Sequence, residues 1–296
     1  MLSAKCSKSR RRGKCADICG KFVDMRGEKI YYVEAMNEFK DKKALFFDFD
    51  GTLWFGKYGE KTIETLKKLH DAGYILVYAS GRSRGNTDFS LIKDIPFDAL
   101  TFGGCTAEVF GKEIYRKDFS REQIDYLLNM PEKYLRQTVF EGVNGFYKYR
   151  GTLPKYRGEE KDDMNFLRNV KEYPLSKFST IKFDDGKGGF VPIDEDVVKY
   201  LKEQFFVVEL DHYIECMNKG HGKDEMVKKV CEYLGIPLKN TYCFGDSEND
   251  LAMFKAVNFG VAIAHAPESV KKLAKYVTKS DIDGVCEAVY ALGLLK

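Results

Sequence analysis

Two carboxylates one residue apart, Asp48 and Asp50, stand in the run Phe46-Phe47-Asp48-Phe49-Asp50-Gly51-Thr52-Leu53. Acids this close repel each other and resist desolvation unless a cation or a proton neutralises them. The chemistry such a pair suits is therefore the handling of a metal ion, a proton, or both. Gly51 frees the backbone to turn sharply behind the pair, and Thr52 adds a hydroxyl. A second acidic group follows far along the chain in Gly245-Asp246-Ser247-Glu248-Asn249-Asp250.

The elements that position these residues are readable from apolar patterning. Ala44-Leu45-Phe46-Phe47 is a short continuous apolar run, the mark of a strand buried on both faces. Ile63, Leu66, Leu69 and Ala72 then recur at helical spacing, with Gly73 as a stop. Tyr74 to Ala79 is a second buried strand ending at Ser80-Gly81-Arg82, and Ala99 to Phe102 is a third. Strand, helix, strand in this order is a βαβ unit with a parallel sheet. In such sheets ligands sit outside the carboxyl ends of the strands, which is where both acids and Ser80 arrive. After residue 213 the alternation returns. Met226, Val227, Val230 and Leu234 mark a helix closed by Gly235, and Thr241 to Phe244 a strand that ends at the second acidic group. A strand near Gly260 to Ile263 and helices from Pro267 and through Val285 and Val289 complete this part.

Between these halves the texture changes. Ser120 and Gln123 form a capping box, Asn144-Gly145 signals a hairpin between Val139 and Tyr149, and further strands read at Ile181 to Phe183 and Phe206 to Val208. The expected fold class is α/β: a Rossmann-like, doubly wound parallel-sheet core with an inserted α+β cap domain. The expected division is 1–43 as an N-terminal extension, 44–115 and 213–296 as the core, and 116–212 as the cap.

Bulk composition excludes little and supports this. The chain has 296 residues, 44% of them hydrophobic, and 48 basic against 45 acidic residues give a net charge of +3. That near balance argues against nucleic acid, whose partners concentrate positive charge on one face. No apolar run approaches the ~18 residues of a membrane helix. The eight cysteines include no CxxC pair, and without a signal-like segment the expectation is reduced thiols in a cytoplasm. In the extension, the basic run Lys8 to Lys14 precedes Cys15 and Cys19. Such a run suits a nucleic-acid tail, a targeting arm or, with the cysteines, a three-cysteine metal site, and a solvated tail is the plainest reading.

Asp48 with Asp50, Ser80, Lys223, and Asp246 with Asp250 together resemble the haloacid dehalogenase-like superfamily of phosphohydrolases over residues 44 to 296. Residues 51–79 between Asp50 and Ser80 hold only one helix and one strand, whereas 81–222 between Ser80 and Lys223 can hold a whole domain. This is similar to the C2-capped (IIB) members and to the Cof-type subfamily. The resemblance implies that Asp48 is a nucleophile, with Asp50 as acid and then base. It implies Mg²⁺ on Asp48, the backbone oxygen of Asp50 and Asp246, with Asp250 orienting waters or Lys223. Ser80, Gly81, Lys223 and Asn249 would bind phosphate. The chemistry is coherent, since an anionic ester needs charge neutralised and a placed nucleophile. Lys223 is preferred to Lys219 by its distance from Leu234-Gly235-Ile236, although Asp224 stands where the family has glycine. His221 and His265 read as loop residues, the former with substrate contact as its alternative, and His70 and His212 show no partner pattern for a metal. Phe140, Phe146, Tyr147, Tyr149 and Phe178 read as cap core or substrate contacts, and Arg82 and Arg84 as solvated residues near the entrance.

The expected activity is phosphate release from a small phosphate ester such as a sugar phosphate. The alternatives are a phosphomutase of the same superfamily and a non-catalytic phosphometabolite-binding regulator. Oligomeric state is unreadable in the sequence.

Overall fold

The computed structural model describes residues 38–296. The basic run and Cys6, Cys15 and Cys19 of the extension lie outside the described residues. Strand β1 (Ala44–Phe47) is wholly buried, as its unbroken apolar run requires. It runs parallel to β2 (Ile75–Ser80), with Ala44 opposite Ile75, and β2 runs parallel to β3 (Ala99–Phe102). Two short antiparallel strands, β4 (Thr106–Val109) and β5 (Lys112–Arg116), extend this edge. They are too polar and too short for sequence patterning to reveal.

The chain then builds a second sheet from β6 (Thr138–Gly142), β7 (Phe146–Tyr149), β8 (Glu159–Lys161) and β9 (Leu175–Ile181). A small separate hairpin, β10 (Phe183–Asp184) with β11 (Phe190–Val191), precedes β12 (Phe205–Glu209) and β13 (Tyr213–Asn218). The order in this six-stranded sheet is β12-β13-β9-β6-β7-β8. The hairpin at Asn144-Gly145 joins β6 to β7, pairing Phe140 with Tyr147. The capping box at Ser120 is present, with Gln123 as its partner.

The chain returns to the first sheet through β14 (Thr241–Gly245), β15 (Phe259–Ala262) and β16 (Tyr276–Val277). That sheet has eight strands in the order β16-β15-β14-β1-β2-β3-β4-β5, parallel from β16 to β3. Two expected boundaries need correction. Residue 213 opens β13, which pairs with β9 and β12 in the second sheet, so the chain leaves that sheet only after Asn218. Arg116 is still paired with Thr106 in the first sheet.

Helices cover both faces of the eight-stranded sheet because its central strands are apolar on both. Ala44, Phe46, Val77 and Cys243 pack on one side with Met226, Val227 and Val230 of the helix Lys223–Leu234. Leu45, Phe47, Leu76 and Phe244 pack on the other with Leu66 and Leu69 of Thr62–Asp71 and Val285 and Val289 of Gly284–Ala291. Each fully buried large side chain here contributes about 1.5–3 kcal/mol. The six-stranded sheet has its own core, in which Phe140, Phe178, Ile214 and Cys216 meet Ile124, Leu127, Val197 and Leu201. Among the described residues no helix is long and apolar enough to cross a membrane.

Candidate active site

β1, β2 and β14 are adjacent and parallel, so the residues just past their ends converge. Asp48 follows β1 and is buried, its N–H donating to the Phe244 carbonyl at 2.9 Å. The chain then folds back at once: the N–H groups of Thr52, Leu53 and Trp54 all point to the Phe49 carbonyl at 2.8–3.3 Å. Gly51 makes this turn with φ of +84°, and a Cβ there would lie 2.5 Å from Asp246 Oδ2. Only glycine meets both demands. The turn delivers the Thr52 hydroxyl to Asp246 Oδ1, to which it donates at 2.7 Å.

Asp246 and Asp250 flank the 3₁₀ turn after β14. Asp250 is completely buried and its Oδ2 accepts the N–H groups of Asp246 and Ser247 at 3.0 and 3.1 Å. Its Oδ1 accepts from Lys223 Nζ at 2.6 Å. Lys223, at the first position of its helix, also donates to Asp48 Oδ1 and, at 3.3 Å, to Asn249 Oδ1. Both oxygens of Asp250 are thus occupied in holding the lysine and the turn.

Oxygens of Asp48, Asp246 and Asp250 lie within 4.8 Å of one another. Burial pushes the Asp48 carboxyl well above the usual carboxylate range; the Lys223 charge opposes this, and Asp250 and Asp246 reinforce it. Asp246 is raised chiefly by burial, against the hydrogen bond from Thr52. For Lys223 burial disfavours the charge, but Asp250 and Asp48 outweigh it and raise the ammonium above the ordinary lysine value. Three acids against one ammonium leave a buried excess of negative charge. A hard, oxygen-seeking divalent cation is the group this donor set fits, and Mg²⁺ is such a cation.

The predicted residues do not all meet in this cluster. The Asp50 side chain is absent from it, half-exposed and gripped by Arg82, whose Nη2 and Nε donate at 2.6 and 2.7 Å. Ser80 is buried at the end of β2 and its Oγ accepts the Arg82 N–H at 3.0 Å. Asp48, Asp50, Gly81, Asp246 and Asn249 bound a cavity of about 330 Å³, whereas Ser80, Lys223 and Asp250 are not among its lining residues. The other wall of the cavity is the six-stranded sheet.

Several residues of the site carry no local signal in the sequence. Arg82 is a partner of Asp50 rather than a solvated side chain. His265 spans Asp246 Oδ2 at 3.3 Å and Asp281 Oδ1 at 2.9 Å, a long-range contact without a local signal. Glu141, Lys177 and Glu215 are buried on the cavity wall. Of the aromatic residues singled out in the insert, Phe146 lines the cavity and Phe140 and Phe178 lie in the core of the six-stranded sheet. His221 pairs with the Tyr115 hydroxyl and His70 with Asp98, both away from the cavity.

Comparison with known proteins places this geometry in a family. A family model for haloacid dehalogenase-like hydrolases matches residues 45–289. YkrA of Bacillus subtilis (strain 168), which carries the name of a candidate phosphatase, is 29% identical over 86% of this chain and all of its own length. A second protein of that organism, the 5-amino-6-(5-phospho-D-ribitylamino)uracil phosphatase YwtE, is 24% identical over 82% of this chain and 95% of its own. In fold, the chain is similar to the phosphatase BT1666 from Bacteroides thetaiotaomicron, with a TM-score of 0.73 at 22% identity over 86% of this chain and 96% of that one. With the match spanning nearly all the described residues and the acids standing at the ends of β1 and β14, the chain belongs to the haloacid dehalogenase-like hydrolase family.

Proposed function

We propose that this protein is a Mg²⁺-dependent phosphatase that hydrolyses a small phosphorylated metabolite through an aspartyl-phosphate on Asp48. One observation carries the reading: Asp48 is buried at the end of a central strand, on the wall of a cavity, and held by Lys223. A fixed carboxylate beside a fixed positive charge is what attack on an anionic ester requires. The names of the relatives, phosphatases in each case, support the reaction class.

An oxygen of Asp48 attacks phosphorus, and the bond from phosphorus to the alcohol oxygen breaks as Asp50 gives that oxygen a proton. Asp50 then takes a proton from water, whose oxygen attacks phosphorus, and the bond to Asp48 breaks to release phosphate. Asp50 stands on the cavity wall rather than in the acidic cluster, with both oxygens forked to Arg82, which must release one of them before Asp50 can carry the proton. Asp48, Asp246 and the backbone carbonyl of Asp50 would hold Mg²⁺. When bound, the ion supplies positive charge that offsets repulsion between the carboxylate and the incoming phosphate. Asp250 fixes Lys223 and the backbone of the second acidic turn. Gly81 and Asn249 would line the phosphate side of the site, with Lys223 and Ser80 buried just behind that wall. The α+β unit expected at 116–212, extended to Asn218 by the pairing of β13, serves as a cap that excludes water.

The test is phosphate release from a panel of phosphate esters by the purified full chain. Release with Mg²⁺, loss on chelation, and a fall of at least about a thousandfold in Asp48→Asn are expected. No release from any ester would overturn the proposal, and isomerisation of a sugar phosphate without free phosphate would favour a mutase.

A further inference from the structure

The cavity wall opposite Asp48 carries three charged side chains that the reaction itself does not use. In β9 the pleat sends Lys177, Ser179 and Ile181 to the cavity, while Phe178 joins the sheet's own core. The same alternation in β6 exposes Val139 and Glu141 to the cavity and buries Phe140 behind them. In β13 it exposes Tyr213 and Glu215 and buries Ile214 and Cys216. Glu141 lies directly opposite Lys177, and Glu215 opposite Ser179. The period of two therefore groups a lysine and two glutamates on one patch of wall.

Each of the three is more than nine-tenths buried. Lys177 Nζ lies 2.5 Å from Glu215 Oε1 and 3.9 Å from Glu141 Oε1, and donates to the Gly81 carbonyl at 2.9 Å. Glu141 Oε2 also accepts from Ser83 N–H and Asn86 Nδ2, both at 3.4 Å. The ammonium is thus engaged by two carboxylates and a carbonyl, and cannot turn to an anion without leaving them. Arg82, the other cation lining the cavity, is forked to Asp50. What the wall offers an incoming molecule is carboxylate oxygens and one excess negative charge, beside the hydroxyls of Ser179 and Tyr213. Burying a charged lysine and two acids is costly, so the arrangement is not one that core packing alone would favour.

We propose that Glu141, Lys177 and Glu215 form the leaving-group subsite and select by charge: they accept hydroxyl or ammonium donors on the organic part of the substrate and repel a second anionic group. Binding of donors at the wall faces the phosphoryl end across the same cavity, and the Lys177 bond to Gly81 ties the subsite to the loop after β2. The inference rests on the proposed phosphatase reading for which end of the ligand faces Asp48.

Three phosphates of similar length separate the cases: glucosamine 6-phosphate, glucose 6-phosphate and 6-phosphogluconate. Binding to full-length Asp48→Asn protein with Mg²⁺, followed by calorimetry, should be at least about tenfold tighter for the first two than for the carboxylate, the factor given by ~1.4 kcal/mol. Adding Glu215→Gln should bring the ratio to within about threefold, since glutamine keeps an acceptor and removes the charge. Glu141→Gln should act in the same direction and serves where Glu215→Gln does not fold, as judged by circular dichroism. Equal binding of all three, binding of none, or a ratio that survives both glutamines would overturn the subsite. Phosphate release by the unmutated protein is measured in parallel. Discrimination in binding without release would overturn the phosphatase reading and leave the subsite standing; release without discrimination would do the reverse.

Discussion

Asp246 keeps both of its oxygens in contact with donors that arrive from elsewhere in the chain, Thr52 on one side and His265 on the other. A ligand-orienting hydrogen bond of this kind typically changes metal affinity by 10–100-fold when removed. Thr52→Val keeps the shape and deletes the donor, so the Mg²⁺ concentration for half-maximal phosphate release should rise by at least about tenfold. A metal titration of activity checks this, and an unchanged midpoint would separate Thr52 from the ion. Asp48 and Asp246 stand out in the sequence because acids packed beside a buried strand have few structural uses. Arg82 and His265 do not, because their roles rest on contacts across 32 and 19 residues that no local spacing encodes.

The turn after β1 is the element on which the two acidic groups depend. Gly51→Ala places a methyl group into Asp246 and forces an L-residue to a positive φ. The backbone term alone costs roughly 1–2 kcal/mol, and the clash displaces the Asp246 carboxylate. Thermal unfolding should show a lowered midpoint, and phosphate release should fall further than the stability loss explains; a variant with full activity would contradict the assigned geometry. Elements with strong periodicity were legible from sequence: β1, β2, β3 and β14, the helix after Lys223, and the hairpin at Asn144-Gly145. β4 and β5 were not: β4 has four residues of which only Ala107 and Val109 are apolar, and β5 is an edge strand of half-exposed, mostly polar residues. Residues 213–218 fall on the core side of the expected division, because strand pairing, not residue type, decides which sheet a strand joins. The charged wall of β6, β9 and β13 was likewise hidden, because three residues distant in sequence meet only through register.

At the scale of the whole molecule, two sheets with separate cores meet around one cavity, and both cores hold thiols. Burial pushes Cys105 and Cys231 from the ordinary 9.0 up to about 12, and raises Cys216 and Cys243 as well. Between pH 9 and 12 the unfolded chain loses thiol protons that the folded chain retains, so stability falls as pH rises, by up to about 1.4 kcal/mol per pH unit for each thiol. Denaturant unfolding at increasing pH should show this decline, and Cys231→Ala should flatten it. A profile unaffected by that substitution would remove the thiol from the account. The proposed reaction is covalent, with the phosphoryl group passing through Asp48. The protein quenched during turnover and treated with borohydride should yield homoserine at position 48, detected by peptide mass spectrometry, because the reagent reduces an aspartyl-phosphate and spares a free carboxylate. Reduction at another residue, or none at Asp48 while phosphate is being released, would contradict the account.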